Sequence, residues 1–106
     1  MANDQVSEII EQLTTCCPCP QSGYIMIADD NITAEISDNF KPGDVCVFFC
    51  YNRSELSETD KNAISDWFAD ARLEFKQQMA KLSYTTIEDH EEAYIPDLNC
   101  ALIFRK

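Results

Sequence analysis

Glycine and long apolar runs are both scarce in this chain of 106 residues. The two glycines, Gly23 and Gly43, are too few for a glycine-rich phosphate-binding loop, and no G-x-S-x-G nucleophile elbow is present. No stretch approaches the ~18 consecutive apolar residues of a membrane-spanning helix, and the first residues lack the basic start and apolar run of a secretory signal. We therefore expect a cytoplasmic protein that does not interact with membranes.

Basic residues are also few. Eight Lys and Arg stand against nineteen Asp and Glu, which leaves a formal net charge of −11. Residues 1–40 and 82–104 contain no Lys or Arg. Because nucleic-acid phosphates and anionic membranes attract proteins through Lys and Arg, direct binding to either is disfavoured. The composition instead favours a partner protein with a basic surface.

Length and composition predict one compact domain over residues 1–106. A content of 45% hydrophobic and 25% charged residues excludes a disordered tail and provides enough apolar surface for one two-layer core.

Hydrophobic periodicity predicts the elements of this domain. Helices are expected over about 4–15 and 58–81, the second beginning at a capping sequence over 57–60. Its apolar stripe comprises Ile64, Trp67, Phe68, Ala71, Phe75, Met79 and Leu82. We predict a hairpin of strands 24–28 and 32–37, a buried strand over 45–51, a short acidic helix over 85–94 and a last strand over 99–104.

These elements define an α+β fold with an α/β-like part. Strand 45–51, helix 58–81 and strand 99–104 form the order of a β-α-β crossover, which normally joins two parallel strands. With the hairpin, this order predicts a mixed sheet of about four strands that carries the helices. Such folds host too many activities to indicate one.

Six cysteines and one histidine limit the metal and thiol chemistry. Cys16 and Cys19 have C-x-x-C spacing and Cys17 adds a third thiol, but a second C-x-x-C is lacking, so this loop is a weak metal candidate. The loop follows the first helix and faces its negative end, which opposes thiolate formation for redox chemistry. The remaining cysteines fall in predicted strands, where they pack as small apolar groups: Cys46, Cys50 and Cys100.

The long helix segregates its charges. Asp66, Asp70 and Glu74 recur at i, i+4 and i+8 on the side opposite the apolar stripe, and we call these three residues the acidic ladder. Leu73 projects from the same exposed side. An apolar side chain among carboxylates suits contact with a basic partner. The basic residues lie on the other flank: Lys61, Arg72 and Lys76.

A second acidic group surrounds the single histidine, His90. We include its carboxylates in the predicted partner-binding surface: Glu88, Asp89, Glu91 and Glu92. In the predicted helix over 85–94 they would form a solvated face.

The chain is expected to act by binding, without catalysis and without a cofactor. Carboxylates arrayed along a helix can stand in for phosphates on a basic groove. In size and charge, though in no motif, the chain resembles small acidic inhibitors of nucleic-acid enzymes, such as phage-encoded anti-restriction and anti-CRISPR proteins. That resemblance implies an inhibitor of a nucleic-acid-binding complex, present in the host-cell cytoplasm.

Two other functions stay open at this point. One is a metal-binding or redox module that uses Cys16, Cys17 and Cys19. The other is a homo-oligomeric structural protein, such as a homodimer with Leu73 at a two-fold interface.

Overall fold

Helices and strands follow one another along the described residues. The computed structural model describes residues 2–19, 22–52, 54, 56–90 and 98–106. The helices in this part of the chain are α1 (Ala2–Thr14), α2 (Asp30–Ile36) and α3 (Glu58–Lys81). The strands are β1 (Gly23–Ile27), β2 (Val45–Tyr51), β3 (Thr85–His90) and β4 (Leu98–Arg105).

The four strands form one antiparallel sheet in the order β1-β2-β4-β3. The α+β class is therefore confirmed, with three helices and this sheet in a single compact domain. The predicted mixed sheet is wrong. β4 does not run parallel to β2, because α3 leads first to the edge strand β3, and β4 then lies between β2 and β3 and antiparallel to both. The crossover through α3 thus joins two strands that run the same way but are not neighbours.

The predicted hairpin is also wrong, because its second strand is the helix α2. Asp29 caps α2 by accepting a hydrogen bond from the backbone N–H of Ile32 at 2.9 Å. Ile32 and Ile36, one turn apart, pack on the sheet beside buried Cys46 and Ile103. The alternation that suggested a strand satisfies the i, i+4 spacing equally well, and the cap with the packing decides for the helix.

The predicted acidic helix over 85–94 is wrong as well, since residues 85–90 form the strand β3. Thr86 lies opposite Phe104 and His90 opposite Ala101, with a register shift between Thr86 and Glu88. β-branched side chains at residues 85–87 favour the extended form, and pairing along the edge of β4 stabilises it.

The sheet is covered on both faces around β2, as the apolar run over 45–51 predicts. One face packs against α1 and α3 through Val47, Phe49 and Leu102, all fully buried. The other face packs against α2 through Cys46, Phe48 and Ile103. β2 is consequently the centre of both apolar clusters.

Helix α3 supplies more residues than any other element to the cluster on the α1 and α3 side of the sheet, as its periodicity predicts. Ser57 is the N-cap and its hydroxyl accepts a hydrogen bond from the backbone N–H of Asp60 at 3.2 Å. The buried residues of α3 are Ile64, Trp67, Phe68, Ala71, Phe75 and Met79. This stripe fixes the rotation of α3 about its axis and therefore which side chains point to solvent.

Candidate functional site

The acidic ladder lies on the solvent side of α3. Asp66, Asp70 and Glu74 are all exposed, and each is about 6 Å from the next along the helix axis. The buried stripe on the opposite side of α3 imposes this orientation. The three carboxylates therefore form one row, as the sequence predicts.

The ladder borders an open groove between α1 and α3, which we call the α1–α3 groove. Its volume is about 540 Å³. One wall is the end of α1 with the turn that follows, and the other is α3. The groove is lined by Leu13, Cys16, Pro18, Ala63, Asp66, Trp67, Asp70, Ala71 and Glu74. Apart from the cysteine thiol and the indole of Trp67, the ladder supplies all of its polar side chains.

Trp67 holds the two walls together. Its indole Nε1–H donates a hydrogen bond to the backbone carbonyl of Leu13 at 3.1 Å, and only 8% of the residue is exposed. This contact satisfies both the indole N–H and a carbonyl in the last turn of α1. The groove between the ladder and α1 is therefore left with an apolar floor, and the ladder carboxylates lie along its edge.

The ladder carboxylates lack cationic partners within the residues that the structure describes. Asp66 and Asp70 take part in no ion pair or side-chain hydrogen bond there, and Glu74 accepts one from the amide of Gln78 at 2.8 Å. Most of the described bases are engaged elsewhere: Lys61 with Glu58, Arg72 and Lys76 with Asp89, Arg105 with Asp44, and Lys106 over the ring of Tyr84. The negative charge of the ladder is consequently uncompensated by the cations of the described ranges.

Leu73 is the most exposed large hydrophobic residue in the described part of the chain, at 62%. It does not line the α1–α3 groove. At 100° per residue it lies across the ladder from the groove, so the carboxylates separate two apolar surfaces. A partner that spans the ladder would contact both surfaces.

The described residues of the second acidic group, Glu88 and Asp89, do not join the ladder. Asp89 lies on the flank of α3 away from α1, where it accepts hydrogen bonds from Arg72 and, at 2.5 Å, from Lys76. Partial burial would raise the pKa of Asp89, but these two bases outweigh it and hold the pKa below its ordinary value. Its charge is therefore used within the fold.

Glu88 faces the other side of the sheet from Asp89. It accepts a hydrogen bond from the hydroxyl of buried Ser37, the residue that caps the end of α2, and its Oε1 lies 3.1 Å from Nε2 of His90. Glu91 and Glu92, which the sequence assigned to the same surface, lie outside the described residues. The structure therefore offers the ladder, without Glu88 or Asp89, as the candidate surface.

The three thiols of the cysteine loop have different environments. Cys16 is exposed and lines the groove, whereas Cys17 is buried, with its Sγ 3.6 Å from the carbonyl oxygen of Gly23. Burial raises the pKa of Cys17, and partial burial together with the carboxylate of Asp60 raises that of Cys19. A raised pKa opposes both metal ligation and redox attack, which need the thiolate.

No grouping of three or more His, Cys, Asp or Glu side chains suited to a metal ion occurs among the described residues. Over the same ranges, no helix is both long and apolar enough to cross a membrane.

Sequence reasoning identified the ladder but missed the groove beside it. The sequence places Trp67 in the core, Leu13 near the end of a helix and Pro18 in a loop, and nothing in it brings the three together. One signal was available: at 100° per residue Trp67 lies at the margin of the apolar stripe, next to the ladder.

Comparison with known proteins adds no relative, since no family model, curated protein or solved structure matches the chain. The function must be inferred from the ladder and the groove themselves.

Proposed function

We propose that this chain is a non-enzymatic interaction protein that docks the acidic ladder on a basic surface of a partner protein. The single observation that carries the proposal is the row of three exposed carboxylates without cationic partners among the described residues, Asp66, Asp70 and Glu74. Complementary potentials accelerate encounter with a basic partner and disfavour acidic ones.

The cost of the ladder to the fold supports a role in binding. Like charges at i, i+4 destabilise a helix by about 0.2–0.5 kcal/mol per pair, and the ladder holds two such pairs. Arg72 and Lys76 of the same helix neutralise Asp89 instead. Apart from the hydrogen bond between Glu74 and Gln78, the ladder makes no stabilising side-chain contact among the described residues.

A finer form of the proposal concerns the kind of partner. The carboxylates of the ladder are spaced ~6 Å apart along the axis of α3. This spacing is of the same order as the ~3.4 Å axial spacing of phosphates on one DNA strand. A protein groove built for nucleic acid would accept such a row. We propose an inhibitor of a nucleic-acid-binding complex, of the phage anti-defence type, that competes with the nucleic acid. The free thiols of all six cysteines fit a reducing cytoplasm.

The test uses the full chain as bait in extracts of the cells in which it is produced. The ladder variant, Asp66→Asn/Asp70→Asn/Glu74→Gln, is compared with a control variant, Glu8→Gln/Glu35→Gln/Asp38→Asn, which removes three acids outside α3. Both variants change the net charge from −11 to −8, because each removes three negative charges. Any retained protein is then purified, and its affinity is measured at two salt concentrations and with competing DNA or RNA.

We expect the ladder variant to bind about tenfold more weakly than the control variant, since three exposed charge pairs contribute about 0.2–1 kcal/mol each. Raising the salt from about 0.1 M to about 1 M should weaken wild-type binding, because the Debye length falls from ~10 Å to ~3 Å. If the ladder variant and the control variant lost the same affinity, the loss would follow from net charge alone. That result would contradict docking through the ladder. Failure of nucleic acid to compete would remove the inhibitor role alone.

A further inference from the structure

We propose that the α1–α3 groove binds an amphipathic helical segment of a partner protein, with the apolar side of that helix on Trp67 and its Lys or Arg residues facing the acidic ladder. The inference rests on the proposed function and specifies the part of the partner that the ladder meets. It follows from the composition of the groove, the position of the charges and the backbone of the walls.

Apart from the ladder carboxylates along its edge, the groove surface is apolar, and the indole N–H in it is paired internally. Trp67 uses its only donor on the carbonyl of Leu13, and Ala63 and Pro18 add no polar side-chain atoms. Filling such a surface releases water without breaking hydrogen bonds to it. The occupant therefore presents apolar side chains to the groove floor.

The charge in the groove is confined to one side. Asp66, Asp70 and Glu74 lie along the α3 wall, while the lining residues from α1 and its following turn carry no charge. An occupant that matches this pattern has a cationic row directly beside an apolar row. Lys or Arg at i, i+4 and i+8 of a helix repeat at about the ~6 Å spacing of the ladder.

The backbone of the walls favours a helix over an extended segment. Residues two apart on a strand have a similar spacing of ~6.6 Å, so charge alone does not decide. An added strand needs free N–H and C=O groups from a sheet edge, however, and the groove is walled by helix and turn. Thr15, Cys16 and Cys17 donate their backbone N–H groups to carbonyls of α1. A helix satisfies its own backbone and needs nothing from these walls.

Two side chains in the groove allow occupancy to be measured. Trp67 is the only tryptophan in the chain, so its emission reports on the groove. Cys16 is the only one of the six cysteines that is exposed, so its alkylation rate does the same. Neither readout responds to a partner that contacts only the ladder from the Leu73 side.

The probe is a synthetic peptide of about 18 residues, ~27 Å long as a helix, that contains Lys at every fourth position beside a Leu stripe and lacks Trp. A second peptide has the same composition in an order that abolishes the stripe. Both are titrated against the full-length wild type, the ladder variant, Ala63→Phe and Ala69→Phe. Ala63 lines the groove, and Ala69 is exposed on α3 but does not line it, so the second substitution is the matched control.

The patterned peptide should shift the Trp67 emission, slow Cys16 alkylation about tenfold and bind more tightly than the reordered peptide. Ala63→Phe should weaken this binding about tenfold relative to Ala69→Phe, because the new ring occupies the volume of one apolar anchor. The ladder variant should weaken it by a similar factor.

Several results would overturn the inference. Loss of binding in the ladder variant, with Ala63→Phe unaffected and Cys16 still reactive, would leave the proposed function intact but place the partner outside the groove. Absence of binding by the patterned peptide, or equal binding of both peptides, would rule out a helix in the groove. Protection of Cys16 in the protein alone, increasing with its concentration, would identify a second copy of the chain as the occupant. Undiminished peptide binding by the ladder variant would instead count against both proposals.

Discussion

Asp44 shows what a carboxylate does in this fold when it has a partner. Its side chain is 2% exposed and accepts two hydrogen bonds from Arg105, at 2.8 and 2.7 Å, and one from the backbone N–H of Lys41 at 3.0 Å. Arg105 in turn donates to the carbonyl of Asn39 at 2.7 Å, so the pair ties the end of β4 to the turn before β2. The ladder carboxylates have none of these contacts.

The Asp44 pair should make stability fall in acid. The Arg105 guanidinium outweighs burial and holds the pKa of Asp44 below its ordinary value of about 3.9. A lowered folded pKa gives stability that is present above the ordinary pKa and is lost as the pH falls through the folded one. Asp44→Asn should lower the free energy of unfolding by about 1–2 kcal/mol at pH 7 and flatten its decline below about pH 4. Urea titrations from neutral to strongly acidic pH measure both effects, and an unchanged acid slope in the variant would contradict the assignment.

The six thiols should react at very different rates. Cys16 is exposed, Cys19 is intermediate and the other four are buried. Burial raises the pKa of Cys46 to about 11, so its thiol stays protonated in mildly basic buffer as well as covered. We expect a thiol reagent to modify one cysteine rapidly, a second slowly and the remaining four only in denaturant. Cys16→Ser should abolish the rapid phase; rapid reaction of three thiols would show that the loop is open.

At the scale of elements, α3 combines a strongly packed face with an electrostatically unfavourable one. The ladder variant, Asp66→Asn/Asp70→Asn/Glu74→Gln, removes two like-charge pairs and keeps a side-chain oxygen at position 74 for the amide of Gln78. We expect its free energy of unfolding to rise by about 0.4–1 kcal/mol in low salt. The gain should disappear in about 1 M salt, where the repulsion is screened. Thermal unfolding with the control variant alongside measures this, and a less stable ladder variant would mean that the carboxylates stabilise the fold.

The long elements could be predicted from the sequence because their patterns are continuous. α3 has six buried positions at helical spacing, and β2 is apolar along almost its whole length. The strands over 24–28 and 99–104 could also be predicted as strands, but α2 and β3 could not, since a side-chain cap and contacts with other elements decide them. Ile32 and Ile36 fit a strand or a helix until Asp29 caps the helix, and Asp89 fits an acidic helix until Arg72 and Lys76 neutralise it in β3.

The candidate site divides in the same way. The acidic ladder could be predicted because its three residues lie on one helix and follow from its period. The groove could not, because it depends on the hydrogen bond between Trp67 and the carbonyl of Leu13, which are 54 residues apart. Only the packing of α1 on α3 brings Cys16 and Pro18 to the ladder.

Over the whole molecule, charge is distributed unevenly. The molecule extends over 38 × 27 × 18 Å, and the ladder spans about 12 Å of it. Asp44 and Asp89 are paired with bases across the fold, whereas the ladder stands at the margin of an apolar groove. Three of the surplus acids thus lie together on a surface that also offers apolar contact.

This distribution predicts a monomer at moderate salt. A two-fold interface centred on Leu73 would bring two ladders together, which places six carboxylates in one contact. Like charges opposed in an interface cost several kcal/mol. Burial of the two exposed leucines would contribute about 1.5–3 kcal/mol each. This gain does not offset the repulsion together with the entropy lost on association. Sedimentation at several protein concentrations in about 0.1 M salt should therefore give a single monomeric species. The contrary result would be a concentration-dependent dimer that Leu73→Ala abolishes and the ladder variant strengthens. That result would favour the homo-oligomeric function, and Leu73 rather than the groove would then be the main contact of this face.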